Sequence, residues 1–242
     1  MIAESIGYVE GLAFCCIRPI VALSLVPFAG AESLGIALRL PLTLMFAVLP
    51  GQFGWPEHAL VAIGVEVLVG VALGLMLSVA FHVAAAAGAL IDQQGGYTIG
   101  AQYDPHFREE AAHFQRLFVW LATLSFFTGT GLQATYGFFA DAWALWPPGA
   151  PRPDTLRVMR ALAEERLALS IAEGVKLATP LIGLMLLVDI SLGLMSRYAK
   201  RINPFMTAPP VKAIALSFTI VFCLPVVLAR LKAVFIAVAI LQ

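Results

Sequence analysis

One long uncharged stretch lies between Glu66 and Asp92 if His82 is neutral, and it constrains the fold more than any other feature. Its 25 residues, 67–91, would form a helix of roughly 38 Å at about 1.5 Å per residue. That length exceeds the ~30 Å hydrocarbon core of a bilayer. A soluble domain rarely needs such a helix, so the stretch predicts a helix inside a membrane or a membrane assembly.

Small and polar residues recur at every fourth position along this stretch. On a helix they form one ridge, while the other faces carry Val, Leu, Met and Phe. The Gly-x-x-x-Gly spacing within the ridge is a small-residue motif for close helix packing. We therefore expect another helix to pack against the ridge, which consists of Glu66, Gly70, Gly74, Ser78, His82 and Ala86.

Composition supports a membrane location along the whole chain. The 242 residues are 60% hydrophobic and 12% charged, against roughly 25% charged in soluble domains. Fifteen acidic and fifteen basic residues cancel, so net charge gives no argument for binding nucleic acid. The three cysteines form no C-x-x-C pair, and we interpret them as small buried apolar residues. No basic residue precedes Arg18, which favours retention of the first apolar segment over its cleavage as a signal peptide.

Six apolar segments predict an all-α membrane protein, organised as one membrane-embedded domain over residues 1–242. The first two are expected to form a helical hairpin. Trp143 and Trp146, after the fourth segment, suit an interfacial belt. Two connections stand out: a polar, glycine-bearing one at about 92–116 and an amphipathic one at about 146–176. The segments are residues 12–28, 34–49, 67–91, 117–140, 177–195 and 213–242.

Arg18 and Arg39 lie inside apolar segments, where a charge costs several kcal/mol (~2.5 to 3.5) unless it finds a partner. The acidic residues available to them are Glu10, Glu32 and Glu66, and the sequence does not choose among these.

Two carboxylates raise the same question. Asp189 sits in a run of Leu, Val and Ile, and Lys176, Arg197 or a neighbouring chain could pair with it. We interpret Asp92 as a helix-terminal carboxylate at the membrane interface, with binding of a cation or proton as the less favoured alternative. Basic residues are balanced across alternate connections, which sets no orientation and suggests segments that face other helices as well as lipid.

Catalytic patterns are absent from the sequence. There is no H-E-x-x-H, G-x-S-x-G, P-loop or G-x-G-x-x-G, and the acidic residues beside His106 and His113 lack ligand spacing. We expect no enzymatic activity, no cofactor and no metal site.

Two motifs carry a resemblance to a known family. The first is GALIDQQGG at residues 88–96, followed by Asp104-Pro105 and then an apolar segment that ends before WPPG. The second is DISLGLMSRYAKRINPFMTAPPVK at residues 189–212. The chain resembles the T component of the type III secretion export apparatus and its flagellar counterpart, the R component. Asp189 in place of Asn favours the injectisome branch, and Pro204 departs from the usual aliphatic residue.

The resemblance implies a non-enzymatic subunit of the bacterial inner membrane. One copy would join several copies each of two smaller helical membrane proteins in a conical, pseudo-helical assembly built from helical hairpins. Unfolded proteins would pass through its centre. Further implied partners are the large export-gate and switch membrane proteins and membrane lipid, without nucleic acid.

The resemblance also assigns expected roles to residues. A connection that helps to close the pore maps onto Gly95, Gly96, Tyr97, Ile99, Gly100, Tyr103, Asp104, Pro105 and Phe107. Structural or assembly roles map onto Arg18, Arg39, Glu66, Gly70, Gly74, Gly88, Asp92, Asp189, Gly193, Arg197, Asn203, Phe205 and Lys212.

A secondary transporter or small channel is the alternative function. It would use Glu66, Asp92 and Asp189 as a path for protons or cations. Such transporters usually have paired broken helices and an internal repeat, and no repeat is evident here.

Overall fold

Most of the described part of this chain is helical. The computed structural model describes residues 2–28, 36–50, 56, 58–96, 113–128, 130–149, 167–199 and 203–239, and these contain no strand. The prediction of an all-α membrane protein with long apolar helices is confirmed. The helices are α1 (Ile2–Cys15), α2 (Ile17–Ser24), α3 (Ile36–Ala47), α4 (Ala59–Gly95), α5 (His113–Phe127), α6 (Thr130–Leu145), α7 (Leu167–Tyr198) and α8 (Pro204–Ala239).

Among the described residues, four stretches of helix are long and apolar enough to cross a membrane, and the bent pair α5 and α6 makes a fifth if it is one span. The second predicted apolar segment contains α3, which has 12 residues and rises about 18 Å. The four stretches are Gly7–Ser24, Ala59–Gly95, Ala172–Tyr198 and Met206–Ala237.

The long helix α4 extends beyond the predicted segment at both ends. Its 37 residues rise about 56 Å. Its last residue is Gly95, which is buried. The next residue, Gly96, has a φ of 77°, a value readily adopted only by glycine, and it stops the helix.

The fourth apolar segment is two helices, α5 and α6, with a bend of 69° between them, rather than the single predicted helix. Gly131 explains why the chain can turn so closely here. A Cβ atom at Gly131 would lie 2.5 Å from the Cα atom of Phe126, so a larger residue would not fit.

Helices α7 and α8 begin earlier than predicted. Ten residues of the expected amphipathic connection, 167–176, belong to α7, while residues 150–166 lie outside the described residues. Helix α8 begins at Pro204 because the carbonyl of Asn203 accepts the N–H groups of Met206 and Thr207, at 3.2 and 3.1 Å. A proline in the first helical position loses no hydrogen bond, so Pro204 fits at the start of α8. Pro209, Pro210 and Pro225 also lie inside α8.

The chain groups into two compact units, and the prediction of a single domain stays a prediction. Unit 1 comprises Met1–Phe81, Thr123–Leu169 and Lys232–Gln242, and unit 2 comprises His82–Ala122 and Ser170–Leu231. In unit 1, α2 packs against α3, as the predicted hairpin requires. Its core contains edge-to-face phenylalanines, with ring centroids 5.3 Å apart for Phe28 and Phe126 and for Phe81 and Phe235.

In unit 2, the last part of α4 makes close backbone contacts. A Cβ atom at Gly174 of α7 would lie 3.3 Å from the carbonyl oxygen of Val83. Gly88 meets the start of α5 more closely still, as described below.

Candidate functional site

A buried ion pair joins α2 and α4 in unit 1. Arg18 and Glu66 are each 1% exposed. The Nε atom of Arg18 donates to Oε2 of Glu66 at 2.7 Å, and Nη2 donates to Oε1 at 3.0 Å. This two-point geometry is the strongest form of an arginine–carboxylate pair. Of the acidic candidates considered for Arg18, the structure selects Glu66.

The remaining contacts of Arg18 are with the end of α6. Its Nη1 atom donates to the carbonyl oxygens of Trp146 and Ala142, at 2.9 and 3.4 Å. The last carbonyls of a helix lack partners within it and carry partial negative charge, so a guanidinium is favourable there. The guanidinium carbon also lies 3.9 Å from the ring centroid of Trp143.

Trp143 is buried inside the chain and Trp146 is partly exposed, and the interfacial belt stays a prediction. Trp143 is 5% exposed, and its Nε1 atom donates to the carbonyl oxygen of Phe46 at 3.2 Å. Nearby, the N–H of Gly149 donates to Oε1 of Glu66 at 3.3 Å. Arg18 and Glu66 therefore bind both the end of α6 and the turn that follows it.

The predicted ridge on α4 is buried over its first four positions. A Cβ atom at Gly70 would lie 2.8 Å from the carbonyl oxygen of Arg18, and one at Gly74 would lie 2.6 Å from that of Ala22. Helix α2 thus lies directly on the two glycines. His82 and Ala86 are exposed instead, because a four-residue spacing drifts about 40° per step around a helix.

Arg39 does not join the ion pair of Arg18 and Glu66. It is partly buried, and its Nε atom has no hydrogen-bond partner among the residues that the structure describes. Of the other acidic candidates, Glu10 is exposed and Glu32 lies outside the described residues.

Asp92 connects the end of α4 to the start of α5 in unit 2. It is 2% exposed, and its two carboxylate oxygens accept the N–H groups of Phe114 and Gln115 at 3.0 and 2.9 Å. Asp92 lies in the last turn of α4, as expected of a helix-terminal carboxylate, and its position at a membrane interface stays a prediction. Its carboxylate is buried because the N–H groups of Phe114 and Gln115, in the first turn of α5, serve as its partners.

Gly88 lies one helical turn before Asp92 and meets the same part of α5. A Cβ atom there would lie 2.4 Å from both the Cα atom of Gln115 and the carbonyl oxygen of Phe114. Both atoms are backbone, so neither can move aside without shifting the helix. The two residues of the first motif thus hold α4 against the start of α5.

Lys212 is the partner of Asp189, and neither Lys176 nor Arg197, the candidates considered, pairs with it. The Nζ atom of Lys212 lies 2.7 Å from Oδ2 of Asp189 and donates to the carbonyl oxygen of Gln94 at 3.0 Å. Lys176 pairs with Glu173 at 2.6 Å, and Arg197 is exposed. The Pro-x-Lys of the second motif was the signal that could have suggested Lys212.

The remaining predicted residues are less closely engaged. A Cβ atom at Gly193 would meet nothing within 4 Å in the described structure. Asn203 supplies the carbonyl at the start of α8, and Phe205 lies in the first turn of that helix. Seven residues of the predicted pore connection fall outside the described residues: Tyr97, Ile99, Gly100, Tyr103, Asp104, Pro105 and Phe107.

Potential metal ligands and thiols give no further site. Within the described ranges, no group of three His, Cys, Asp or Glu side chains is placed to hold a metal ion. Cys15 is buried and Cys16 and Cys223 are partly exposed, so the predicted burial fits Cys15 best.

Comparison with known proteins identifies relatives in secretion and flagellar systems. The secretion system apparatus protein SsaT of Salmonella typhimurium is 27% identical, over 88% of this chain and 86% of the relative. The flagellar biosynthetic protein FliR of Pectobacterium carotovorum is 24% identical, over 93% and 88%. The Yop proteins translocation protein T of Yersinia pestis is 24% identical, over 67% and 62%.

These relatives confirm the resemblance found in the two motifs, and they give the transporter alternative no support. Secretion and flagellar relatives match at similar identity, so the injectisome branch stays a prediction. A chain of this kind is a multi-pass membrane component of an export apparatus, which implies membrane partner subunits. Residues 9–238 match the family described as "Bacterial export proteins, family 1", and the chain belongs to that family.

Proposed function

We propose that this chain is a structural, non-enzymatic subunit of a type III protein export gate in the bacterial inner membrane. With several copies each of two smaller helical membrane subunits, it forms the pore through which unfolded proteins leave the cytoplasm. The observation that carries this proposal is the family match, which spans nearly the whole chain. The large export-gate and switch membrane proteins are its further proposed partners.

The exposed surfaces of α7 and α8 support an assembly. Only 22% of the apolar stretch of each of these two helices is buried within the chain, against 44% for α4. The exposed side chains are large and apolar, and lipid or neighbouring subunits must cover them. They include Leu186, Leu187, Ile190 and Leu194 on α7, and Phe218, Val221, Phe222 and Val226 on α8.

Charges within the apolar helices support an apolar interface. Arg18 pairs with Glu66, Asp189 pairs with Lys212, and Asp92 accepts two backbone N–H groups. These five side chains have partners inside the chain, so neighbouring subunits need not supply opposite charges to them. Close apolar packing at these five positions is therefore compatible with association.

A role in closing the pore is proposed for the connection between α4 and α5. Residues 97–112 lie outside the described residues, and the support is their composition together with the placement of their flanking helices. The stretch contains Tyr97, Ile99, Tyr103 and Phe107 as bulky side chains, with Gly100 among them. Asp92 brings the flanking ends of α4 and α5 together.

Deleting residues 97–103 is expected to raise ion leakage through the assembled complex, because the bulky side chains of the connection would be lost. Leakage of K⁺ from cells that express the complete apparatus measures this. Alanine in place of Tyr97, Ile99 and Tyr103 is the length-preserving variant, and it should raise leakage less. Unchanged leakage in an assembled complex would exclude the pore-closing role.

Co-purification tests the proposed subunit role separately. The full chain, extracted from membranes in mild detergent, should elute in a large complex with two small hydrophobic proteins. Elution of the chain as a monodisperse monomer from cells that express the whole apparatus would contradict the proposal.

A further inference from the structure

The two sequence motifs, far apart in the chain, meet in unit 2. Asp92 and Gln94 come from the first motif, and Asp189 and Lys212 are the ends of the second. Lys212 on α8 contacts both Asp189 on α7 and the Gln94 carbonyl on α4. Lys212 therefore links three helices. The carbonyl that it binds belongs to Gln94, two residues after Asp92, whose carboxylate binds the start of α5.

Each contact satisfies a helix end with a charge of the correct sign. The carbonyl of Gln94 is among the last four of α4, which have no partner within the helix and carry partial negative charge. An ammonium group is favourable there. The N–H groups of Phe114 and Gln115 are among the first four of α5, which carry partial positive charge and favour a carboxylate.

The charged groups in these contacts are shielded from water. Asp92 is 2% exposed and Lys212 is 7% exposed, while Gln94 and Phe114 are partly exposed and Gln115 is exposed. A buried charge is costly unless it is hydrogen-bonded, so Asp92 and Lys212 favour the arrangement in which these contacts are kept. The close approach at Gly88 further restricts movement between α4 and the start of α5.

We propose that Asp92 and Lys212 are positioning residues that fasten the two ends of the α4–α5 connection, Asp92 by binding the start of α5 and Lys212 by binding the end of α4 to α7. The connection would then begin at a fixed end of α4 and finish at a fixed start of α5. Any consequence for pore closure rests on the proposed function, whereas the fastening itself does not.

Hydrogen exchange measured by mass spectrometry on the full chain in the detergent-extracted complex tests this. In Asp92→Asn, one carboxylate oxygen becomes an amide nitrogen that cannot accept an N–H. Exchange in the peptide that contains Phe114 and Gln115 should become about tenfold faster or more, corresponding to ~1.4 kcal/mol. In Lys212→Met, the last turn of α4 should exchange faster because its carbonyl loses the ammonium group.

Two exposed residues provide matched controls. Asp141→Asn on α6 and Lys176→Met on α7 remove the same charges at the surface. Neither should change exchange at the start of α5 or the end of α4.

Unchanged exchange at Phe114 and Gln115 in Asp92→Asn would overturn the proposal. If Asp92→Asn does not accumulate, exchange in the wild-type chain provides the test, because the amides of Phe114 and Gln115 should exchange far more slowly than first-turn amides that no carboxylate binds. Rapid exchange there would equally overturn it. Ion leakage measured on the same variants separates the two ideas: faster exchange with unchanged leakage contradicts the pore-closing role and leaves the fastening intact.

Discussion

Replacing Arg18 with methionine is expected to lower the free energy of unfolding by roughly 3–5 kcal/mol, since it leaves the carboxylate of Glu66 buried without its cation. The substitution also removes a donor from the carbonyl of Trp146 and the cation from the ring of Trp143. Thermal unfolding of the purified full chain and its steady-state level in membranes would both measure the loss.

Removing both charges is expected to cost less than removing one. In Arg18→Met combined with Glu66→Leu, no charge stays buried, so much of the lost stability should return. The N–H of Gly149 and the carbonyl of Trp146 still lose their partners, so recovery should be incomplete. A double-mutant cycle over the four forms gives the coupling between the two side chains.

The exposed pair Lys176 and Glu173 provides the matched control. Its lysine side chain is 65% exposed, so breaking it should cost no more than about 1 kcal/mol. If Lys176→Met and Arg18→Met destabilised the chain equally, the buried network would have no special role.

Replacing Gly88 with alanine is expected to destabilise the chain by at least about 2 kcal/mol, which is within the usual range for overpacking. The new methyl group would lie 2.4 Å from two backbone atoms of Gln115 and Phe114, so α4 and α5 must separate. Alanine favours a helix over glycine by about 1 kcal/mol, and this gain is too small to offset the clash. Thermal unfolding measures the change.

Gly193→Ala is the matched control because it makes the same substitution in open space, within α7. It should stabilise the chain slightly through helix propensity. If Gly193 contacts a partner subunit, as predicted, the variant should reduce co-purification while the chain alone stays stable. Equal destabilisation by the two alanines would contradict the close contact inferred at Gly88.

Prolines inside a helix did not end it. Pro209, Pro210 and Pro225 lie within α8, and the helix continues through all three. A proline removes one hydrogen bond within the helix, and that cost is local. The hydrophobic residues on both sides favour a continuous helix over a polar break inside a membrane, so the local signal was overruled.

The sequence identified the charged residues that form contacts between helices as structural, but did not show which groups they bind. They are Arg18 and Glu66 in unit 1, and Asp92, Asp189 and Lys212 in unit 2. Arg18 and Glu66 are 48 residues apart, and Asp92 accepts N–H groups from residues 22 and 23 positions further along. A charge in an apolar segment signals that a partner exists, but spacing within one helix cannot identify a partner on another.

The membrane class, the all-α fold, the family and the need of buried charges for partners all followed from the sequence alone. They depend on the length of apolar segments and the spacing within motifs, which are properties of contiguous residues. The contacts of Arg18 with the end of α6, and of Lys212 with α4 and α7, depended on how helices from distant parts of the chain come together. Such contacts form where a buried charge meets an unsatisfied helix end, and only the folded chain brings those groups within hydrogen-bonding distance.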